Sequence, residues 1–164
     1  AGDTVPTVPV LLHVLDWHLQ DSGADPKNVL LLQATSPLRS GALLRDAVAL
    51  LAARDDINAV VAVRRLGFGA NRIFNLDAGG ALAPLSASDT RSPLFVPNGA
   101  LYLVRCAALR KHGSLFPPAT LPLEMDTVAS VDIDTEADWC LAQALLTQPA
   151  ASMNAARNEK GVNA

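Results

Sequence analysis

The sequence predicts an α/β domain, and three observations carry the prediction. Val29-Leu30-Leu31-Leu32 and Ala59-Val60-Val61-Ala62-Val63 are short runs that are apolar throughout, as strands buried on both faces are. Between them, residues 40–54 place Leu43, Leu44, Ala47, Val48, Leu50 and Leu51 at helical spacing. Strand, helix and strand in that order imply a parallel pair joined by a right-handed crossover. Third, Ser130-Val131-Asp132-Ile133-Asp134 alternates polar and apolar residues, the period of a strand, with Val131 and Ile133 toward a core.

The remaining elements follow in order. Turn chemistry in residues 1–7 leads into a helix to about Gln20, with Pro9 in its first turn and Val10, Leu11, Val14, Leu15 and Leu19 inward. His13 and His18 are not spaced as a ligand pair. Gly23 and Pro26 mark a loop before the first strand, and Ala34 to Arg39 form a turn after it. Residues 64–96 hold many of the glycines and several prolines. They read as an insertion serving as a flap, a substrate loop or a dimer contact, with Arg72 to Leu76 as one strand of a side hairpin. Pro97-Asn98-Gly99 reads as a turn and Ala100 to Val104 as a strand. Cys106 to His112 reads as a short helix stopped by Gly113. Residues 116–125 read as irregular. Residues 136–146 read as a helix with Trp139, Ala142 and Leu145 inward, and residues 148–164 as a disordered tail. The domain therefore spans residues 1–147.

Composition narrows the function. Half of the 164 residues are hydrophobic, enough for a real core, and the formal charge is −3. No basic surface points to nucleic acid, and no apolar run is long enough to span a bilayer. Cys106 and Cys140 lack metal-ligand spacing and read as small core residues, which fits a reducing cytoplasm.

The acidic segment is where chemistry concentrates. On a strand, Asp132 and Asp134 share a face about 6.6–7 Å apart. Two carboxylates that close repel unless a cation faces them, and a hard divalent ion such as Mg²⁺ is the natural partner. Thr135 reads as a helix N-cap, with Asp138 completing a capping-box-like pair. The pair would then stand at a strand's carboxyl end before a helix, where open α/β sheets bind ligands. The plain reading also stands: Asp134 and Thr135 start a helix, and Asp132 is solvated.

Three stretches together resemble one family. Leu31-Leu32-Gln33-Ala34-Thr35-Ser36-Pro37-Leu38-Arg39 resembles the LLQPTSPLR motif of the cytidylyltransferases that activate sialic acids. Pro97-Asn98-Gly99-Ala100-Leu101-Tyr102 resembles their PNGAIY segment, and Ser130 to Glu136 resembles their SIDIDTE segment. The likeness runs from about Asp3 to Leu146. It implies a Rossmann-like three-layer α/β/α sandwich of the nucleotide-diphospho-sugar transferase type, mostly parallel and usually a homodimer. It implies a reaction joining CTP and a nonulosonic acid into a CMP-sugar and pyrophosphate. Carried over, Asp132 and Asp134 are the Mg²⁺ pair, and Gln33 contacts the sugar or ribose. Asn98 and Tyr102 belong to the substrate pocket, and Asp3, Thr4 and Thr7 to the loop beside the nucleotide. Arg72 would reach a neighbouring active site, and Phe116 would line a neighbour's sugar pocket. Read as residues alone, Gln33 is a strand-end cap, Tyr102 strand packing and Arg72 a solvated strand residue.

The chain also departs from the family. Ala34 replaces a proline. Val96 stands where many members have an arginine, so one anion contact is missing or is supplied by Arg91. The family's opening strand and its Gly-, Ser- and Lys-containing triphosphate loop have no counterpart in these residues. The expectation is a truncated enzyme that alone is marginally stable and makes no detectable CMP-sugar. The alternative is an inactive relic that binds sugar, nucleotide or a partner.

Overall fold

The computed structural model describes residues 6–76, 78–84 and 92–147. Four helices and two sheets follow in order: α1 (Thr7–Ser22), β1 (Asn28–Leu31), α2 (Gly41–Ala52), β2 (Ala59–Arg65), β3 (Phe74–Leu76), β4 (Leu82–Pro84), β5 (Phe95–Arg105), α3 (Cys106–His112), β6 (Thr120–Met125) and α4 (Glu136–Thr147). The main sheet has the order β1-β5-β2-β6, and β3 and β4 form a separate hairpin.

β2 and β6 pair in parallel, while β5 runs against both β1 and β2. Three of the four strands thus share one direction. The expected direct β1–β2 pair is corrected: the two strands are parallel in direction, but β5 lies between them. This makes β1 an edge strand among the described residues. Its side chains are alternately exposed and half-buried, and Leu30 keeps 37% of its surface, so β1 is not buried on both faces.

The pleat sorts the core into two faces. Val60 and Ala62 of β2, with Leu101 and Leu103 of β5, pack against Ala47 and Leu51 of α2. Their alternating neighbours Ala59 and Val104 pack with Leu15 of α1 and with Cys106 and Leu109 of α3. Helices on both faces of one sheet make the three layers. The inner face of α1 is Val8, Leu11, Leu12 and Leu15, whereas Val14 and Leu19 are exposed.

Side chains set the ends of the helices. Ser40 caps α2, its hydroxyl accepting from the Leu43 N–H. Gly113 ends α3 in the left-handed region. Thr135 and Asp138 form the expected capping box: the Thr135 N–H donates to Asp138 Oδ2 at 2.9 Å, and the Asp138 N–H donates back to Thr135 Oγ1.

Several expectations are overturned. Residues 116–125 contain β6, whose Pro122 is tolerated because β6 is the other edge of the sheet. Pro97-Asn98-Gly99 is not a turn between elements but part of the long strand β5, where the register with β2 slips between Val61 and Val63. Ser130 to Asp134 is not a strand. Turns through Asp126 and Val128 lead into it, and Ile133 N–H donates to the Thr35 carbonyl instead of to a ladder. Trp139 and Cys140 face outward on α4, while Ala142 is buried. Arg72 ends a 3-10 turn (Ala70–Arg72), not a strand, and its guanidinium lies over the Phe68 ring at 5.9 Å. Asp3, Thr4, Arg91 and residues 148–164 lie outside the described residues.

Candidate active site

The strand directions create the site. β1, β2 and β6 all end at one edge of the sheet, and the early part of antiparallel β5 returns to that edge. Four segments therefore meet there. They are the Gln33–Ser36 turn after β1, Arg64 near the end of β2, Asn98 and Gly99 in β5, and Ser130–Asp134 beyond β6.

Gly99 is the meeting point. It has φ +76°, a conformation that favours glycine. A Cβ there would stand 2.4 Å from Gln33 Oε1, 2.9 Å from Asp132 Oδ2 and 3.2 Å from Ser36 Oγ. Three side-chain oxygens from two of the motifs converge on the bare face of the glycine of the third. Hydrogen bonds hold the arrangement from behind. The Ser36 hydroxyl lies 3.2 Å from the Asn98 carbonyl oxygen and 3.3 Å from Asp132 Oδ1. Arg39 donates from Nη1 to the carbonyls of Gln33 and Ser36 and so closes their turn.

Asn98 is buried. Its Nδ2 donates to Ser130 Oγ at 3.0 Å, and its Oδ1 accepts from the Ala100 N–H at 3.2 Å. Its amide thus braces the bulge against the acidic segment. Tyr102 lies opposite Leu31 and Val61 in the sheet. Burial, and then the negative charge of Asp132, push its phenol above the ordinary value. Phe116 meets Tyr102 of its own chain edge-on, with ring centroids 5.8 Å apart. Asp134 is exposed. Thr7 is exposed at the start of α1, and neither it nor Arg72 is bonded into this cluster.

Sequence reasoning gave Ser36 no role and passed over Arg64. Arg64 shares a cleft of about 330 Å³ with Ser130, Asp132 and Asp138. Arg64 brings a cationic side chain to a lining that also includes the carboxylates Asp132 and Asp138. Ser36 could have been found from the burial its motif imposes, but Arg64 carries no motif signal.

The donor set fits a particular kind of metal. Among the described residues, no three His, Cys, Asp or Glu side chains gather as a metal cage. The oxygens that do gather, from Gln33, Ser36 and Asp132, are of the hard kind that Mg²⁺ takes, and without a strand nothing sets Asp134 on one face with Asp132. No helix among the described residues is long and apolar enough to cross a membrane.

Comparison with known proteins found a similar sequence and a similar fold. The chain is 27% identical over 153 residues to CMP-N,N'-diacetyllegionaminic acid synthase of Legionella pneumophila, covering 89% of this chain and 65% of that protein. The chain thus spans a little under two thirds of that relative's length. Its fold matches the crystal structure of 4-diphosphocytidyl-2C-methyl-D-erythritol synthase from Anaerococcus prevotii, with a TM-score of 0.57 and 14% identity over 88% of this chain and 68% of the other. No family model matches the chain.

Proposed function

We propose that this chain, a member of a cytidylyltransferase family, joins CTP to a nonulosonic acid to give a CMP-sugar and pyrophosphate. The observation that carries the reading is the convergence of Gln33, Ser36 and Asp132 on Gly99 at the carboxyl edge of the sheet. Residues far apart in sequence meet where α/β sheets bind ligands, and they belong to the three stretches that resemble the sialic-acid-activating enzymes.

In this reading the anomeric hydroxyl of the sugar attacks the α-phosphorus of CTP. The new P–O bond forms as the bridging bond to the β-phosphate breaks, and pyrophosphate leaves. Asp132 and Asp134 would hold Mg²⁺, which neutralises phosphate charge and orients the reactants. Gln33 offers its amide to the sugar or ribose. Arg64, which lines the same cleft, would meet the negative charge of the sugar acid or the phosphates. Tyr102, kept protonated by burial and by Asp132, donates a hydrogen bond and does not take a proton. Catalysis is then mainly positioning and electrostatics.

The same reading makes the enzyme a cytoplasmic homodimer joined through the insertion. The β3–β4 hairpin leaves Leu76 and Leu82 69% and 71% exposed, and Phe74 is exposed beside them. Apolar side chains in such a row suit a second copy better than water. Deleting residues 74–84 is expected to give a monomer by light scattering, and a surviving dimer would remove that contact.

The catalytic reading is tested by offering CTP and Mg²⁺ with a panel of acceptors to the polypeptide expressed from its native reading frame. CMP-sugar formation with an eight- or nine-carbon acidic sugar, but not with methylerythritol phosphate, is expected. Transfer to methylerythritol phosphate alone would replace the proposed substrate class.

A further inference from the structure

Ser36 is 0% exposed, yet it lies in a turn that no helix or strand requires. Its hydroxyl meets two acceptors, the Asn98 carbonyl at 3.2 Å and Asp132 Oδ1 at 3.3 Å, and the carboxylate is 96 positions away in sequence. A hydroxyl has one proton to donate. The two acceptors compete for it, and the contact to Asp132 is the one that ties the turn to the acidic segment. With Oδ1 engaged by Ser36, Oδ2 is left toward the bare face of Gly99, where Gln33 Oε1 also points. The carboxylate is thereby fixed from two sides. The hydroxyl holds one oxygen, and the glycine leaves space for the other. Arg39 pins the Ser36 turn, so the hydroxyl itself is held in place.

We propose that Ser36 is a positioning residue that aims the Asp132 carboxylate at a divalent cation. The inference rests on the reading of Asp132 as a metal ligand given above. Ser36 itself touches neither the cation nor the substrate. A partner that orients a ligating carboxylate typically changes metal affinity by about 10–100-fold when removed. A serine that merely filled space would be replaced by alanine with no such change.

The test is a titration of the polypeptide with Mn²⁺ alone, following free Mn²⁺ by electron paramagnetic resonance, on the parent, Ser36→Ala and Asp132→Asn. Thermal melts run in parallel. The expected result is loss of specific Mn²⁺ binding in Asp132→Asn and weakening by at least about tenfold in Ser36→Ala. Both variants should keep a cooperative melt. In turnover, the Mg²⁺ half-saturation of Ser36→Ala should rise while the KM for the sugar stays at the parent value. If Asp132→Asn loses Mn²⁺ and Ser36→Ala binds it like the parent, the positioning role is overturned and the metal pair stands. If Asp132→Asn binds Mn²⁺ like the parent, the metal reading fails, and the role of Ser36 fails with it. Should Ser36→Ala not melt cooperatively, Ser36→Cys fills the same site with a weak donor. Weakened Mn²⁺ binding there supports the role, and parent affinity overturns it.

Discussion

Gly99 and Gln33 approach so closely that a single methyl group on the glycine would stand 2.4 Å from Oε1 of the amide. The same methyl would press on Asp132, and the backbone at Gly99 is left-handed besides. Gly99→Ala is therefore expected to cost about 1–3 kcal/mol from backbone strain alone. It should also displace the two side chains that the site depends on. Urea denaturation checks the first part and turnover the second. A variant within about 0.5 kcal/mol of the parent would show that the bulge relaxes freely.

Asp132→Asn keeps an oxygen for the Ser36 hydroxyl but removes the charge. It is expected to abolish Mg²⁺-dependent turnover while leaving the melting temperature near that of the parent. Asp134 is exposed and makes no side-chain bond that holds the fold among the described residues, so Asp134→Asn should behave alike. Turnover that persists in both variants retires the metal pair.

Tyr102 is the sole tyrosine, so phenolate absorbance reports it directly. Burial, and secondarily Asp132, raise its pKa above the ordinary value of 10.0. The sign follows from linkage. Ionisation is harder in the folded chain, so this contribution to stability is complete below the unfolded value of about 10 and is lost as pH rises through the raised value. The titration midpoint should exceed 10, and Asp132→Asn should lower it without restoring the ordinary value. An unperturbed midpoint would place the phenol in solvent.

The open edge of β1 gives a prediction about solution behaviour. Leu30 and Val48 are exposed beside Leu44 in a shallow apolar groove. An unpaired strand edge with apolar neighbours recruits other chains. The 164-residue chain should scatter increasingly with concentration, and Leu30→Lys should suppress this with little change in melting temperature. Equal scattering from both would move the sticky surface elsewhere.

What was legible in the sequence follows from what is local. α2, α3 and the capping box at Thr135 and Asp138 depend on near neighbours, and their spacing announced them. Strand order is not local: β5 enters between β1 and β2 from some forty residues downstream, so the strand–helix–strand rule named the right directions and the wrong neighbours. β6 was hidden because Pro122 reads as a breaker until the strand is known to be an edge. In Ser130 to Asp134 the alternation suggested a strand, but the segment leaves a turn and its backbone bonds to a loop. At the site, the motif residues Gln33 and Asp132 were visible. Arg64 carries no motif signal, and Ser36, though inside a motif, meets Asp132 only in the folded chain.

The most direct measurement is phosphorus NMR of CTP mixed with Mg²⁺, the polypeptide from its native reading frame and a nonulosonic acid carrying ¹⁸O at the anomeric hydroxyl. The account predicts a CMP-sugar phosphodiester resonance displaced by the isotope, one pyrophosphate released per product, and neither signal in Asp132→Asn. A product without the label would contradict attack by the sugar oxygen. Unchanged CTP with every acidic sugar offered would contradict the assigned function.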